Sequence, residues 1–410
     1  MRGFFKVKTA KEVLESLGDI QPLGSEFVAL MDAFNRVLAA DILSGEDMPG
    51  FDRSIVDGYA LGAKDTFGAS EGLPTPLTVV GEVRMGRKPD FILRRGECAR
   101  ISTGGMLPEG ADAVAMVEFS QKVDETVVEI SKPVSPLENV ILADDDVKKG
   151  QVVLSKGMLV RPQDLGILAG LGVSRVEVFN KPKAAIISTG EEIVEITQKP
   201  EAGQVRDINT YTIGGLCAEV GVEPIYLGLA GDRFEELKQL FEKGLSQADV
   251  ILLSGGSSVG AQDLTLDLFL SFGDVELVAH GVSISPGKPT IIARKGNKTL
   301  WGLPGHPVSA MIIFDVFLRY LFGRLSGLSD TFAYQRHSVE AELDRNIESA
   351  SGREDYIRVK LSGEEGRLVA KPILGKSGLI STMVEADGMI TIDMHTEGLY
   401  RGDKVTVKLF

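Results

Sequence analysis

Apolar positions along the chain follow two rhythms. Over residues 7–17 and 27–38 they fall at helical spacing, which predicts two helices, the first ending at Gly18. From Asp41 to about Ile130 the rhythm shortens. Runs such as 77–83 and 113–117 sit between Gly- and Pro-rich turns, the texture of a β-rich module. Residues 152–160 and 164–171 read as a strand and a helix closed by Gly172, and Lys181-Pro182 marks a linker. From Ala184 to Gly327 strand, turn and helix alternate. The predicted strands are 184–188, 223–229, 250–254, 275–279, 290–294 and 299–303. The predicted helices are 210–220, 233–246, 263–271 and 308–323. Such alternation implies a parallel sheet covered by helices, with ligands at the carboxyl ends of the strands. After Ser329, runs at 338–343, 355–361 and 404–409 return to strand texture.

The fold class expected is therefore multidomain α/β plus β. A helical and extended linker part covers 1–50 and 140–181, and a β-rich module covers 51–139. A central α/β domain with a parallel-type sheet covers 182–328, and a small barrel-like β domain covers 329–410.

Charge narrows the partners. The net charge of −14 over 410 residues argues against a broad nucleic-acid or anionic-membrane surface, which needs clustered Lys and Arg. It leaves room for a small anion held in a local pocket. Cys98 and Cys217 cannot frame a disulfide scaffold and fit a reducing cytosol, so a cytoplasmic protein is expected. The histidines, His280, His306, His337 and His395, have no zinc-ligand spacing. Neither an apolar leader nor a run of transmembrane length is read.

The candidate chemistry centres on Leu253-Ser254-Gly255-Gly256-Ser257-Ser258-Val259-Gly260-Ala261-Gln262-Asp263. A Gly-Gly-Ser-Ser turn between a strand and a helix exposes several backbone N–H groups at one spot, which favours a phosphate. Asp263 then caps the helix or holds a cation beside that anion. Two further turns lie at strand ends: Ser188-Thr189-Gly190-Glu191-Glu192, and Gly302 to Ser309 with Pro304 and Pro307. At a switch point all three line one crevice. Carboxylates at Glu192, Asp232 and Asp263 beside such N–H groups suggest a hard divalent cation bridging a phosphorylated ligand. The plainer reading makes the turns helix caps and the acids solvated. The prolines either start the helix at Val308 or stiffen a ligand rim. In the β-rich module, Asp57 before Gly58 and the turn around Thr103 each read alone as structural.

Taken together, these segments resemble the molybdopterin molybdenumtransferase family of the MoeA type, similar to the E domain of plant and animal homologues. The marks are Phe51-Asp52-Arg53-Ser54 to Asp57-Gly58-Tyr59-Ala60, and Thr103-Gly104 to Leu107-Pro108 with Gly110-Ala111-Asp112. They continue in Ser188 to Glu192, Ser254 to Gly260 with Asp263, Pro286-Gly287-Lys288-Pro289, and Gly302 to Ser309. The resemblance covers nearly the whole chain. It implies conversion of adenylylated molybdopterin and molybdate (or tungstate) to molybdenum cofactor, with AMP released and Mg²⁺ assisting. It also implies a homodimer with a cleft shared between subunits. One subunit would supply Asp57 and Thr103, the other Glu192, Asp232, Asp263, Pro304 and Pro307. On that reading the substrate meets Ser188, Thr189 and Gly190, and its phosphates the turn Gly255, Gly256, Ser257, Ser258 and Val259. Asp263, Asp232 and Glu192 hold the metal, while Lys288 and Ser285, with Arg353 a weaker candidate, take molybdate.

The chain departs from the family pattern in three places. Ser285 stands where a Lys is frequent, and His306 where Asn or Tyr is common. The segment Asn139-Val140-Ile141-Leu142-Ala143-Asp144 lacks the family's arginines, although Asp146 is retained. A rival activity, adenylyl transfer to the pterin, belongs to proteins that resemble only the α/β region.

Overall fold

The computed structural model describes residues 6–255, 259–329, 336–364 and 366–410. The chain divides into two compact units. The larger takes Met1–Ala40, Lys156–Arg161 and Arg175–Phe410, and the smaller Asp41–Ser155 and Pro162–Ser174.

Helix α1 (Ala10–Leu17) starts with a capping box. The Thr9 hydroxyl accepts from the Glu12 N–H at 3.2 Å, and the Glu12 carboxylate accepts from the Thr9 N–H at 2.8 Å. The predicted helix over 27–38 does not form. Ser25–Ala29 is strand β1, paired antiparallel with Arg175–Phe179, and a short 3₁₀ turn follows at Leu30–Ala33. Phe27 and Met31, which set the helical spacing, are 62% and 77% exposed, while Ala33, Val37 and Leu38 are buried, so the apolar positions do not share one helical face. With no continuous buried stripe to hold a helix, backbone pairing decides the conformation.

The smaller unit is built on strands β2 (Gly58–Leu61), β3 (Thr75–Glu82), β4 (Glu97–Ile101), β5 (Ala113–Met116), β6 (Ser120–Lys122) and β7 (Val127–Ile130). They lie in the order β5-β2-β4-β3-β7-β6. Neighbouring residues face opposite cores. Leu61 and Cys98 join Leu77, Val128 and Ile130, while Ala60 and Ala99 join Val83, Ile101 and Val114. The strand expected over 152–160 is confined to Val152–Leu154, and the chain turns at Gly157, whose φ is +83°. A helix follows at Pro162–Gly170.

In the larger unit β8 (Arg175–Phe179) precedes the α/β region. That region comprises β9 (Lys183–Thr189), α2 (Asn209–Glu219), β10 (Glu223–Ala230), α3 (Phe234–Gln247), β11 (Val250–Gly255), α4 (Val259–Leu270), β12 (Glu276–His280), β13 (Ile291–Lys295) and β14 (Lys298–Leu303). The sheet order is β10-β9-β11-β14-β13-β12. The first four strands are parallel, as expected. Strand β13 runs antiparallel to both β14 and β12, correcting an all-parallel reading. Only Gly296 and Asn297 connect β13 to β14, and two residues cannot carry a parallel crossover. Both faces of the sheet are buried. Ala184, Ile186, Val250 and Leu252 pack on one side with α1 and α2, and Ala185, Ile187, Ile251 and Leu253 on the other with α3. A long helical run closes the region, as α5 (Pro307–Ile313) passes through a π turn at Phe314–Leu318 into α6 (Arg319–Leu325).

A closed five-strand barrel ends the chain: β15 (Ser338–Leu343), β16 (Glu354–Glu364), β17 (Arg367–Pro372), β18 (Gly388–Ile392) and β19 (Lys404–Leu409). The circuit runs β16-β17-β15-β19-β18 and back to β16. Its interior holds Leu343, Val359, Ala370, Ile390 and Val407. Among the described residues no helix is long and apolar enough to cross a membrane.

Candidate active site

The parallel strands of the larger unit end beside a cleft of about 450 Å³. Gly255 makes this possible at the tip of β11. Its φ is +120°, and a Cβ there would lie 1.9 Å from the Thr189 carbonyl oxygen. Only glycine lets the ends of β9 and β11 stay in register this closely. Gly190, on the rim, is similarly constrained, since a Cβ would fall 2.8 Å from Glu192 Oε2. The Glu192 carboxylate thus folds back over its own turn.

Hydroxyl and amide groups fix the acids and the turns. The Thr189 hydroxyl donates to Asp232 Oδ1 at 2.9 Å. Ser188 Oγ and the Thr210 N–H both donate to Asp207 Oδ1, at 3.2 and 3.1 Å, so Asp207 caps α2 while anchoring β9. Asn209 Nδ2 donates to Ser254 Oγ at 2.7 Å and to the Gly305 carbonyl at 2.9 Å. One buried amide therefore ties the tip of β11 to the turn after β14. His306 Nδ1 pairs with Ser377 Oγ at 2.8 Å, bringing the loop before Gly378 to the rim.

The electrostatics follow from the lining. Glu192, Asp207 and Asp232 face the cleft, against Arg206 and His306. Arg206 Nε is committed to the carbonyls of Ile196 and Gln198, at 3.0 and 3.1 Å. A phosphorylated ligand entering here meets an excess of carboxylate, so a cation has to accompany it. The three carboxylates offer the oxygen donors that hard divalent cations take. Among the described residues no three His, Cys, Asp or Glu side chains converge as a cage.

The structure gathers many of the residues predicted from the sequence. Gly190, Glu192, Asp232, Gly255 and Pro307 line the cleft, with Ser188 and Thr189 buried beneath. Pro307 opens α5, and Pro304 is buried just before it. Gly256, Ser257 and Ser258 lie outside the described residues. Val259 and Asp263 belong to α4, and their side chains also lie outside. Ser285 and Lys288 do not line the cleft. Ser285 pairs in register with Asp355 of β16, whose carboxylate Arg353 engages at 3.0 Å. Lys288 is exposed, and its carbonyl accepts from the Val282 N–H at 3.0 Å.

In the smaller unit Asp57 and Thr103 come together. The Thr103 N–H and hydroxyl donate to Asp57 Oδ1 at 2.7 and 3.2 Å. Gly58 sets the position of Asp57, because a Cβ there would lie 1.9 Å from the Ala115 carbonyl oxygen. Sequence reasoning missed Asp207, Asn209 and Ser377. An Asp two residues ahead of a helix was a readable capping signal. Ser377 carried none.

Acid-lined strand tips on a mixed α/β sheet, followed by a closed barrel, define a multidomain α/β class of protein with an open acidic cleft. Family profiles name it further. "MoeA N-terminal region (domain I and II)" matches residues 5–172, "Probable molybdopterin binding domain" 185–323, and "MoeA C-terminal region (domain IV)" 340–410. A Haemophilus influenzae protein named molybdopterin molybdenumtransferase is 33% identical, over 95% of this chain and 95% of its own. A Bacillus subtilis protein of the same name is 30% identical, over 94% and 90%. The crystal structure of a molybdopterin biosynthesis MoeA protein from Pyrococcus horikoshii is similar at a TM-score of 0.84 and 33% identity, covering 99% and 100% of the two chains. The chain belongs to the MoeA family and is a transferase of molybdenum cofactor biosynthesis.

Proposed function

We propose that the chain converts adenylylated molybdopterin and molybdate to molybdenum cofactor in the cytoplasm, releasing AMP with the help of Mg²⁺. The observation that supports this best is the placing of Glu192 and Asp232 over the glycine tips of β9 and β11, in a cleft too acidic to take a phosphate without a cation. The start of α4, next to Gly255, offers backbone N–H groups to the pyrophosphate bridge. Glu192 and Asp232, with Asp263, would hold Mg²⁺, whose charge polarises a phosphoryl oxygen. Thr189 keeps Asp232 in place through its 2.9 Å hydrogen bond. Ser285, Arg353 and Lys288 are the groups assigned to molybdate, a dianion that needs hydroxyls and cations. The working form in this reading is a homodimer, with Asp57 and Thr103 of one subunit serving the cleft of the other.

The test is molybdate-dependent AMP release from the adenylylated pterin, with tungstate in parallel. Asp57→Ala and Asp263→Ala should keep the fold and abolish release; normal turnover in both would refute the assignment. Adenylyl transfer from Mg-ATP to free molybdopterin would favour the rival activity instead.

A further inference from the structure

We propose that the smaller unit carries a cationic docking surface for the diphosphate of this substrate, formed by Arg84, Arg87 and Lys88 with Arg53 beside the Asp57–Thr103 pair. The inference rests on the proposed reaction for the identity of the diphosphate, and on geometry for the surface. After β3 the chain reverses at Gly86, whose φ is +71°, and the Arg87 N–H closes the turn on the Arg84 carbonyl at 3.3 Å. Three of the five residues at 84–88 are basic. This turn packs on the functional one. The Met85 methyl lies 3.4 Å from the place a Cβ on Gly104 would take, next to Thr103.

Arg53 approaches through the backbone. It is bridged to Met106, and its neighbour Ser54 accepts from the Gly104 N–H at 2.8 Å and donates to the Gly105 carbonyl at 3.0 Å. Cations thus stand on two sides of one hydroxyl-bearing turn. All four side chains are exposed, and among the described residues none has an ion pair or side-chain hydrogen bond. The acids closest in sequence do not neutralise them. Asp57 is occupied by Thr103, and Asp52 accepts from the Ala143 N–H at 2.7 Å. Glu82 and Asp90 flank the turn without pairing to it.

On a chain of net charge −14 this is a local reversal of sign, and such a reversal concentrates anions. Guanidinium groups match phosphate oxygens in pairs, so a diphosphate suits two arginines on one turn. The surface would hold the substrate's phosphates where Asp57 and Thr103 can meet them.

The test uses the full-length protein and a triple variant, Arg84→Ala, Arg87→Ala and Lys88→Ala, alongside a charge-keeping pair, Arg84→Lys and Arg87→Lys. The triple variant should raise KM for the adenylylated pterin about tenfold at low salt, with kcat within about twofold. The gap should close as salt screens the charges, and the lysine pair, which keeps the charge but loses the paired N–H geometry, should fall between the wild type and the triple variant. Binding of inorganic pyrophosphate, followed by calorimetry, gives a readout independent of turnover and should weaken in the triple variant. Unchanged pyrophosphate affinity, or an unchanged salt dependence of KM, overturns the surface. Wild-type protein that binds pyrophosphate through these residues yet releases no AMP would leave the surface standing and refute the reaction.

Discussion

Gly255→Ala puts a methyl group into the narrowest point between β9 and β11. The added Cβ would sit 1.9 Å from the Thr189 oxygen and 2.9 Å from its carbon, both backbone atoms that cannot rotate away. Cβ contacts essentially never fall below 3.0 Å, so the strand ends must part by roughly 1 Å. The conformation adds a second cost, since φ is +120°. Gly228, on neighbouring β10, separates the two. Its φ is +104°, but nothing lies within 4 Å of an added Cβ. Gly228→Ala should therefore cost only backbone strain, about 1–2 kcal/mol. Gly255→Ala should cost about 3–5 kcal/mol, strain plus overpacking. Trp301 reports on this unit alone, because it is the chain's single tryptophan, fully buried on β14 and in register with Leu252 of β11. Urea unfolding followed by its fluorescence gives the two values without interference from the smaller unit. If the proposed reaction holds, AMP release by Gly255→Ala, assayed where it remains folded, should fall at least about tenfold, since that reading gives the turn the phosphate-binding N–H groups. Equal stability loss in the two variants would refute the close-approach argument.

Three further outcomes follow from the geometry. Asn209→Leu removes the donor to Ser254 and Gly305 and strands two acceptors, so unfolding should show a loss of about 2–4 kcal/mol; a change under about 0.5 kcal/mol would mean the amide clamps nothing. Asp232→Asn keeps an acceptor for Thr189 but removes the charge, so the Mg²⁺ concentration for half-maximal AMP release should rise about tenfold while stability stays within about 1 kcal/mol; an unmoved Mg²⁺ dependence would take Asp232 out of the metal site. Burial pushes the thiols of Cys98 and Cys217 up to about 12, so neither should react with Ellman's reagent at pH 8 faster than the protein unfolds. Because the fold holds both thiols protonated above their ordinary value of 9.0, their contribution to stability is complete below about pH 9 and is lost as pH rises towards 12. Rapid labelling of both in the native protein, or alkaline stability that does not fall in this window, would contradict the burial.

The strand–helix alternation from Ala184 onward was legible because each element carries its own apolar rhythm, and the four parallel strands form where that rhythm places them. The glycines at Gly190 and Gly255 and the acids at Glu192 and Asp232 were legible for the same reason, since a turn at a strand end is a local event. The stretch 27–38 misled because helical spacing of apolar residues holds a helix only when they share one buried face, and Phe27 and Met31 face outward while Ala33, Val37 and Leu38 are buried. Strand direction in β13 and β12 was decided by connection length and sheet register.

The sequence by itself determined the element types of the α/β region, the glycine turns and the acid-bearing strand ends, all properties of short segments. Tertiary structure alone decided how close Gly255 comes to Thr189, the pairing of Asp57 with Thr103, and the arrival of Asn209 and Ser377 at the cleft. Asn209 reaches a partner 96 residues away, and His306 one 71 residues away. No local periodicity encodes contacts at that separation, because they exist only once the sheet and barrel have packed.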